Sequence, residues 1–158
     1  MGESGLATLN GGTVAGRLTV TAAQIRDDAV RAGLRRGEWV LLHSSLKSIG
    51  AVDGGADAVV QGVRDALGPD GLLAVPTLSN THAGEPPPGT LSFAWDRSTT
   101  PSRVGAITEA LRRLPGAFRS DHPTHSIAAI GNGAAGLVAG HAWDKPTLGP
   151  ESPYAALV

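Results

Sequence analysis

The sequence predicts a layered α/β/α fold with a largely parallel central sheet. Residues 39–42, 72–75 and 126–130 are short apolar runs bounded by turn residues, the pattern of strands covered on both faces. Amphipathic stretches of helical period lie between them. Aromatic residues make up only 4% of the chain while glycines number 22, a composition that suits close helix-on-sheet packing better than an aromatic-cored sandwich.

In chain order, residues 1–18 read as a flexible leader rich in Gly, Ser, Thr and Asn. They lack the charged segment and apolar core of a secretory signal. Thr21 and Gln24 form a capping-box pattern; Ala22, Ile25, Ala29 and Ala32 then recur at helical spacing until Gly33. Arg35, Arg36 and Gly37 turn the chain into the first strand at residues 39–42. A loop of small residues follows, and after Asp53-Gly54-Gly55 a second helix presents Ala56, Val59, Val60, Val63, Ala66 and Leu67 on one face. Gly68-Pro69-Asp70-Gly71 stops it. Residues 72–75 supply the next strand, so strand, helix and strand form a right-handed unit with both strands parallel.

Residues 78–99 have no period and contain Pro86-Pro87-Pro88. A connection this long reads as a functional loop, with Phe93 and Trp95 available for packing. Thr100-Pro101 predicts a helix start, with Val104, Ile107, Leu111 and Leu114 as its buried stripe and Arg103 and Gly105 in its first turn. Residues 118–120 read as an extended piece, 121–124 as a turn, and 126–130 as a further buried strand. A short helix is expected within 132–140, and Tyr154 begins an element with no tail after Val158, the pattern of a C-terminally incomplete domain.

Lys plus Arg number 13 against 14 Asp plus Glu, which leaves no basic stripe for nucleic acid. With no cysteine there is no disulfide framework and no thiolate metal site, as suits a cytoplasmic protein. No stretch is long and apolar enough to span a membrane. The length fits one domain, taken as 19–158 after the leader.

Chemistry concentrates where the first strand ends. Ser44, Ser45, Ser48 and Gly50 are small enough to admit a ligand to the backbone, Lys47 adds a full charge, and a helix N-terminus follows. The arrangement is a usable phosphate cradle, although many such loops bind nothing. Ligands of parallel sheets sit beyond the carboxyl ends of the strands, where Thr77 would also lie. Arg103 opposes the dipole of its expected helix, a second hint of an anion, and Gly105 marks a close approach. Asp121, His122 and His125 form a group fit for acid-base work or, with no third ligand nearby, more weakly for a metal.

The stretch LLHSSLKSIGAVDGGADAVVQGVRDALGPDGLLAVPT resembles the opening of the aminoglycoside 3-N-acetyltransferase family, also called the antibiotic N-acetyltransferases. TPSRVGAITEALRRLPGAFRSDHPTHSIAAIG and LGPESPYAALV resemble its middle blocks in the same order. The likeness runs from Thr21 to Val158. It implies transfer of acetyl from acetyl-coenzyme A, without a metal, to the 3-amino group of the 2-deoxystreptamine ring of an aminoglycoside, and hence antibiotic resistance. Ser44, Ser45, Leu46, Lys47, Ser48 and Gly50 would hold the phosphates and pantetheine of coenzyme A; Thr100, Pro101, Arg103, Val104 and Gly105 would form the second cofactor block; Thr77 would face the substrate. Asp121 and His122 fall in a block near the active site, with the base assigned to neither. The family's catalytic histidine block lies beyond Val158, so this chain is expected to bind coenzyme A weakly, to turn over little, and to associate through an incomplete sheet edge. The alternatives are a non-catalytic coenzyme A-binding remnant and an unrelated nucleotide-binding α/β domain.

Overall fold

The computed structural model describes residues 13–14, 17–79 and 95–157. Most of the predicted leader, the central part of the predicted loop with Phe93, and Val158 lie outside the described residues. Within the leader region, β1 (Thr13–Val14) and β2 (Arg17–Leu18) pair antiparallel.

Helix α1 (Ala22–Arg31) starts as its capping box predicts: the Gln24 amide donates to Thr21 Oγ1 at 3.2 Å, and the Thr21 amide to Gln24 Oε1 at 2.8 Å. Gly33, with φ +106°, follows its end. Strand β3 (Trp39–Leu41) leads into a four-residue helix α2 (Leu46–Ile49), then α3 (Gly55–Leu67) and β4 (Leu72–Pro76). β3 and β4 are parallel, with Val40 opposite Leu73. The predicted strand-helix-strand unit is present, but the serine loop contains a helical turn the sequence did not announce. Glycine at position 62 lets α1 lie close against α3, since a Cβ there would stand 2.5 Å from the Ala22 carbonyl oxygen and 2.7 Å from Ile25 Cβ.

Two expectations are corrected beyond β4. The first is the helix start at Thr100-Pro101: α4 spans Ala106–Arg113, with Gly105 at its N-cap in a φ +139° conformation that favours glycine. Tertiary bonds take the preceding segment. The Asp96 amide donates to Thr100 Oγ1 at 3.0 Å, occupying the hydroxyl expected to cap the helix, and the Arg103 amide donates to the Leu78 carbonyl at 2.8 Å. Arg103 therefore precedes the helix and does not stand in its first turn. A Cβ on Gly105 would meet nothing within 4 Å, so its dihedral and not a close approach calls for glycine.

The second correction is the largely parallel sheet, which is mixed. After β5 (Phe118–Arg119), β6 (Ile127–Gly131) inserts between β4 and β5, giving the order β3-β4-β6-β5. β6 runs antiparallel to both neighbours, with Ala74 opposite Ala129 and Phe118 opposite Ala129 on the other side. Residues 120–126 are too short a connection for the helical crossover, about a dozen residues or more, that a parallel return needs.

β4 and β6 alternate between two cores. Leu73, Val75, Ala128 and Ile130 face α3 and α4, meeting Val59, Val60, Val63, Ile107 and Leu111. Leu72, Ala74, Ile127 and Ala129 face helix α5 (Ala134–Val138), where Tyr154 and Leu157 pack as well. Helices thus cover both faces, and the polar ends of β3, β4 and β5 meet at one edge.

Candidate functional site

Two polar groups of opposite character occupy that edge. The first is the loop leaving β3. The Leu42 amide still pairs with the Ala74 carbonyl at 2.8 Å, carrying the ladder one residue past the strand before His43, Ser44 and Ser45 diverge. The Ser45 carbonyl accepts from the amides of Ser48 and Ile49 at 3.0 and 3.2 Å, building α2, and Gly50 turns the chain away with φ +97°. Val20 fastens the far side: its amide donates to the Ala51 carbonyl at 2.8 Å, and its carbonyl accepts from Asp53 at 2.9 Å. Ser44 Oγ is buried with no hydrogen-bond partner among the described residues. Lys47 and Arg103 are exposed and make no ion pair among the described residues.

The segment from residue 97 to 105 is tied to the same sheet edge, because Arg103 is bonded to Leu78, two residues beyond β4, the parallel neighbour of β3. Helix α4 holds it from below. Glu109 accepts from the Ser102 amide at 2.8 Å and pairs with Arg112 at 2.6 Å, and Arg112 reaches the Ser98 carbonyl. The Arg112 guanidinium, followed by the Ser102 amide, keeps the Glu109 carboxyl below its usual range against the effect of burial.

The second group is a buried floor between β4, β5 and β6. Thr77 and Ser126, both fully buried, bond through their hydroxyls at 3.0 Å. Arg119, 6% exposed, sits against them with the Trp95 ring 4.5 Å from its guanidinium carbon. Burial, reinforced by nearby Arg112, pushes Arg119 down to about 10, which still leaves it cationic at neutral pH. Beyond it His122 and His141 stack with ring centroids 4.8 Å apart. His122 Nδ1 accepts from the His125 amide at 3.1 Å, so the neutral ring carries its proton on Nε2, toward the Lys145 backbone. His141 Nδ1 meets Ser120 Oγ at 3.0 Å, while its Nε2 is buried without a well-formed hydrogen bond. Burial first, and a neighbouring histidine second, hold both rings below the ordinary histidine pKa. Asp121 is exposed and accepts from Trp95 Nε1 at 2.8 Å.

The structure therefore brings Ser44–Lys47, Thr77 and Thr100–Gly105 to one edge. It places His122 below that edge with Nδ1 engaged by the His125 amide. Arg119, Ser126 and His141 had no sequence signal: an arginine in a two-residue strand and a lone histidine after Gly140 look like surface residues until the sheet closes over them. Among the described residues no group of three or more His, Cys, Asp or Glu could hold a metal ion, and no helix is long and apolar enough to cross a membrane.

Comparison with known proteins places this edge in context. A family model described as aminoglycoside 3-N-acetyltransferase matches residues 41–158. The aminoglycoside N(3)-acetyltransferase IX of Micromonospora chalcea is 36% identical over 154 residues, covering 88% of this chain and 53% of its own. The structure of YokD protein from Bacillus subtilis superposes with TM-score 0.77 at 33% identity, over 87% of this chain and 61% of that one. That of AAC-IIIb, a binary complex with CoASH, superposes with TM-score 0.78 at 26% identity, over 89% and 56%. The chain spans about half the length of the curated relatives it matches.

Proposed function

Because the chain belongs to the aminoglycoside 3-N-acetyltransferase family, we propose that it carries the coenzyme A side of a site that acetylates the 3-amino group of an aminoglycoside. The observation that supports the reading is that Ser44–Lys47, with Ser48 and Gly50, leaves the carboxyl end of β3 while Arg103, in the Thr100–Gly105 block, is bonded to Leu78 just past the carboxyl end of its parallel neighbour β4. Ligands of such sheets bind there. The local chemistry fits an anionic, polar ligand: Ser44 offers a buried hydroxyl without a partner, and the cations Lys47 and Arg103 are unpaired among the described residues.

In the proposed reaction acetyl-coenzyme A supplies the acetyl thioester; a C–N bond forms to the amine as the C–S bond breaks, a base takes the ammonium proton and the thiolate is protonated. Ser44 Oγ and the loop amides bind and orient. Lys47 and Arg103 neutralise phosphate charge. Thr77, fully buried and bonded to Ser126, walls the acceptor side. Asp121 is free to meet a cationic substrate except where Trp95 holds it, and His122, its Nδ1 taken by the His125 amide, acts as a support with the base assigned to neither residue. Turnover of this kind would confer resistance, in a cytoplasmic setting that provides acetyl-coenzyme A. The outer strands β3 and β5 are the edges through which association would occur.

The decisive experiment is calorimetric titration of the chain with coenzyme A, using ADP as control, at two salt concentrations. Coenzyme A should bind more tightly than ADP, and Arg103→Ala should weaken it several-fold, with a smaller salt dependence. Equal affinity for the two ligands would favour a nucleotide site and sink the reading. An acetylation assay with tobramycin then separates an active chain from one that binds coenzyme A without turnover.

A further inference from the structure

Arg119 stands on β5, outside both blocks assigned to coenzyme A, and its guanidinium is almost wholly engaged. Nε–H is shared between Thr77 Oγ1 at 3.2 Å and Ser126 Oγ at 3.0 Å. Nη2 donates to the Thr77 carbonyl at 2.9 Å, and Nη1 to the carbonyls of Arg97, at 3.2 Å, and Thr100. None of the ion pairs among the described residues includes it. A buried charge without a counter-ion is expensive and is kept only where hydrogen bonds replace its water. Here those bonds reach two segments far apart in sequence, the exit of β4 and the turn at residues 97–100, and the indole of Trp95 covers the exposed face of the plane.

That turn leads directly into Thr100–Gly105. We propose that Arg119 is a positioning residue: by joining Thr77 to the Arg97–Thr100 turn, it sets where the second cofactor block stands against the Ser44–Lys47 loop. The proposal rests on the reading that these two blocks hold coenzyme A. Only a planar fork with five donors spans this set of acceptors; lysine keeps the charge but has a single point of attachment. Arg112 holds the neighbouring Ser98 carbonyl, so loss of Arg119 frees the Thr100 end of the segment while leaving its start attached.

The test compares the unsubstituted chain with Arg119→Lys and Arg119→Gln by calorimetry with coenzyme A and by amide hydrogen exchange without ligand. Both variants should bind coenzyme A about tenfold more weakly, equivalent to about 1.4 kcal/mol. The amides of Thr100 and Arg103 should exchange faster by a clearly larger factor than those of β6. With Arg119→Ala, added methylguanidinium should restore binding. Wild-type affinity and exchange in Arg119→Lys would overturn the proposal, as would acceleration spread evenly over β6 and the turn, which marks a merely structural role. If the unsubstituted chain binds no coenzyme A, the functional reading itself falls, and localised exchange then shows only that Arg119 holds the turn.

Discussion

The serine loop and the floor beneath it share one sheet edge but treat their polar groups in opposite ways. In the loop, Ser44 Oγ has no partner among the described residues, and Lys47 is exposed. In the floor, Thr77, Ser126 and Arg119 bond to one another and to backbone carbonyls, Ser120 Oγ accepts from the Ile127 amide and meets His141 Nδ1, and His141 Nε2 is the exception. The loop has capacity left for a ligand, while the floor has satisfied itself and provides rigidity. A buried hydrogen bond adds only about 1 kcal/mol net, but an orphaned partner loses more. Substitutions in the two regions should therefore differ in kind.

The largest effect is expected in the floor. Arg119→Met removes the donor to the Arg97 and Thr100 carbonyls and leaves that of Thr77 with Ser126 Oγ alone, and should destabilise the chain by about 3 kcal/mol, read as a lower urea midpoint at unchanged slope. Next comes pH. His122 and His141 are held below the ordinary value of 6.5 in the fold, by burial first. The unfolded chain thus takes up protons before the folded one. Stability is intact above pH 6.5 and declines as pH falls through that value toward the lower folded pKa values. Thermal melts across that range should show the decline, and His141→Gln should lessen it; a flat profile would remove the histidines from the floor's ledger.

Ser44→Ala sharpens the contrast from the other side. Deleting an unpartnered hydroxyl should shift stability by no more than about 0.5 kcal/mol, while coenzyme A binding weakens about fivefold in calorimetry, the loss of about one neutral hydrogen bond. The smallest effect belongs to Lys47→Ala. An exposed charge is worth up to about 1 kcal/mol toward a phosphate, fading with salt, so its loss should show at low ionic strength and nearly vanish at high.

What was legible in the sequence was local. The capping box at Thr21, the apolar face of α3 and the turn after Leu67 each act within a few residues, and α1, α3 and β4 formed where those signals placed them. The start of α4 was misread because Thr100 and Pro101 carry good local signals that bonds to Asp96 and Leu78 override. The direction of β6 was readable in principle from the short span between Arg119 and Ile127. The serine loop was visible because small residues following an apolar run are unusual. Of the floor only Thr77 was marked in the sequence; its assembly was invisible, because the other members come from β5, β6 and the segment near His141, and only pairing across the sheet brings them together.

The insertion of β6 between β4 and β5 also orders events in time. Residues 39–76 close β3, α3 and β4 into a unit using contacts near in sequence, whereas Leu72 cannot meet Gly131 until the intervening chain has been gathered. Such distant pairing closes a large loop before it gains any contact, and chains that depend on it fold slowly. As the chain emerges from the ribosome, β4 waits with one side unpaired, its Leu72 and Ala74 face open until β6 and α5 arrive. That interval is when a premature encounter between two nascent copies has the most apolar surface to hold it together.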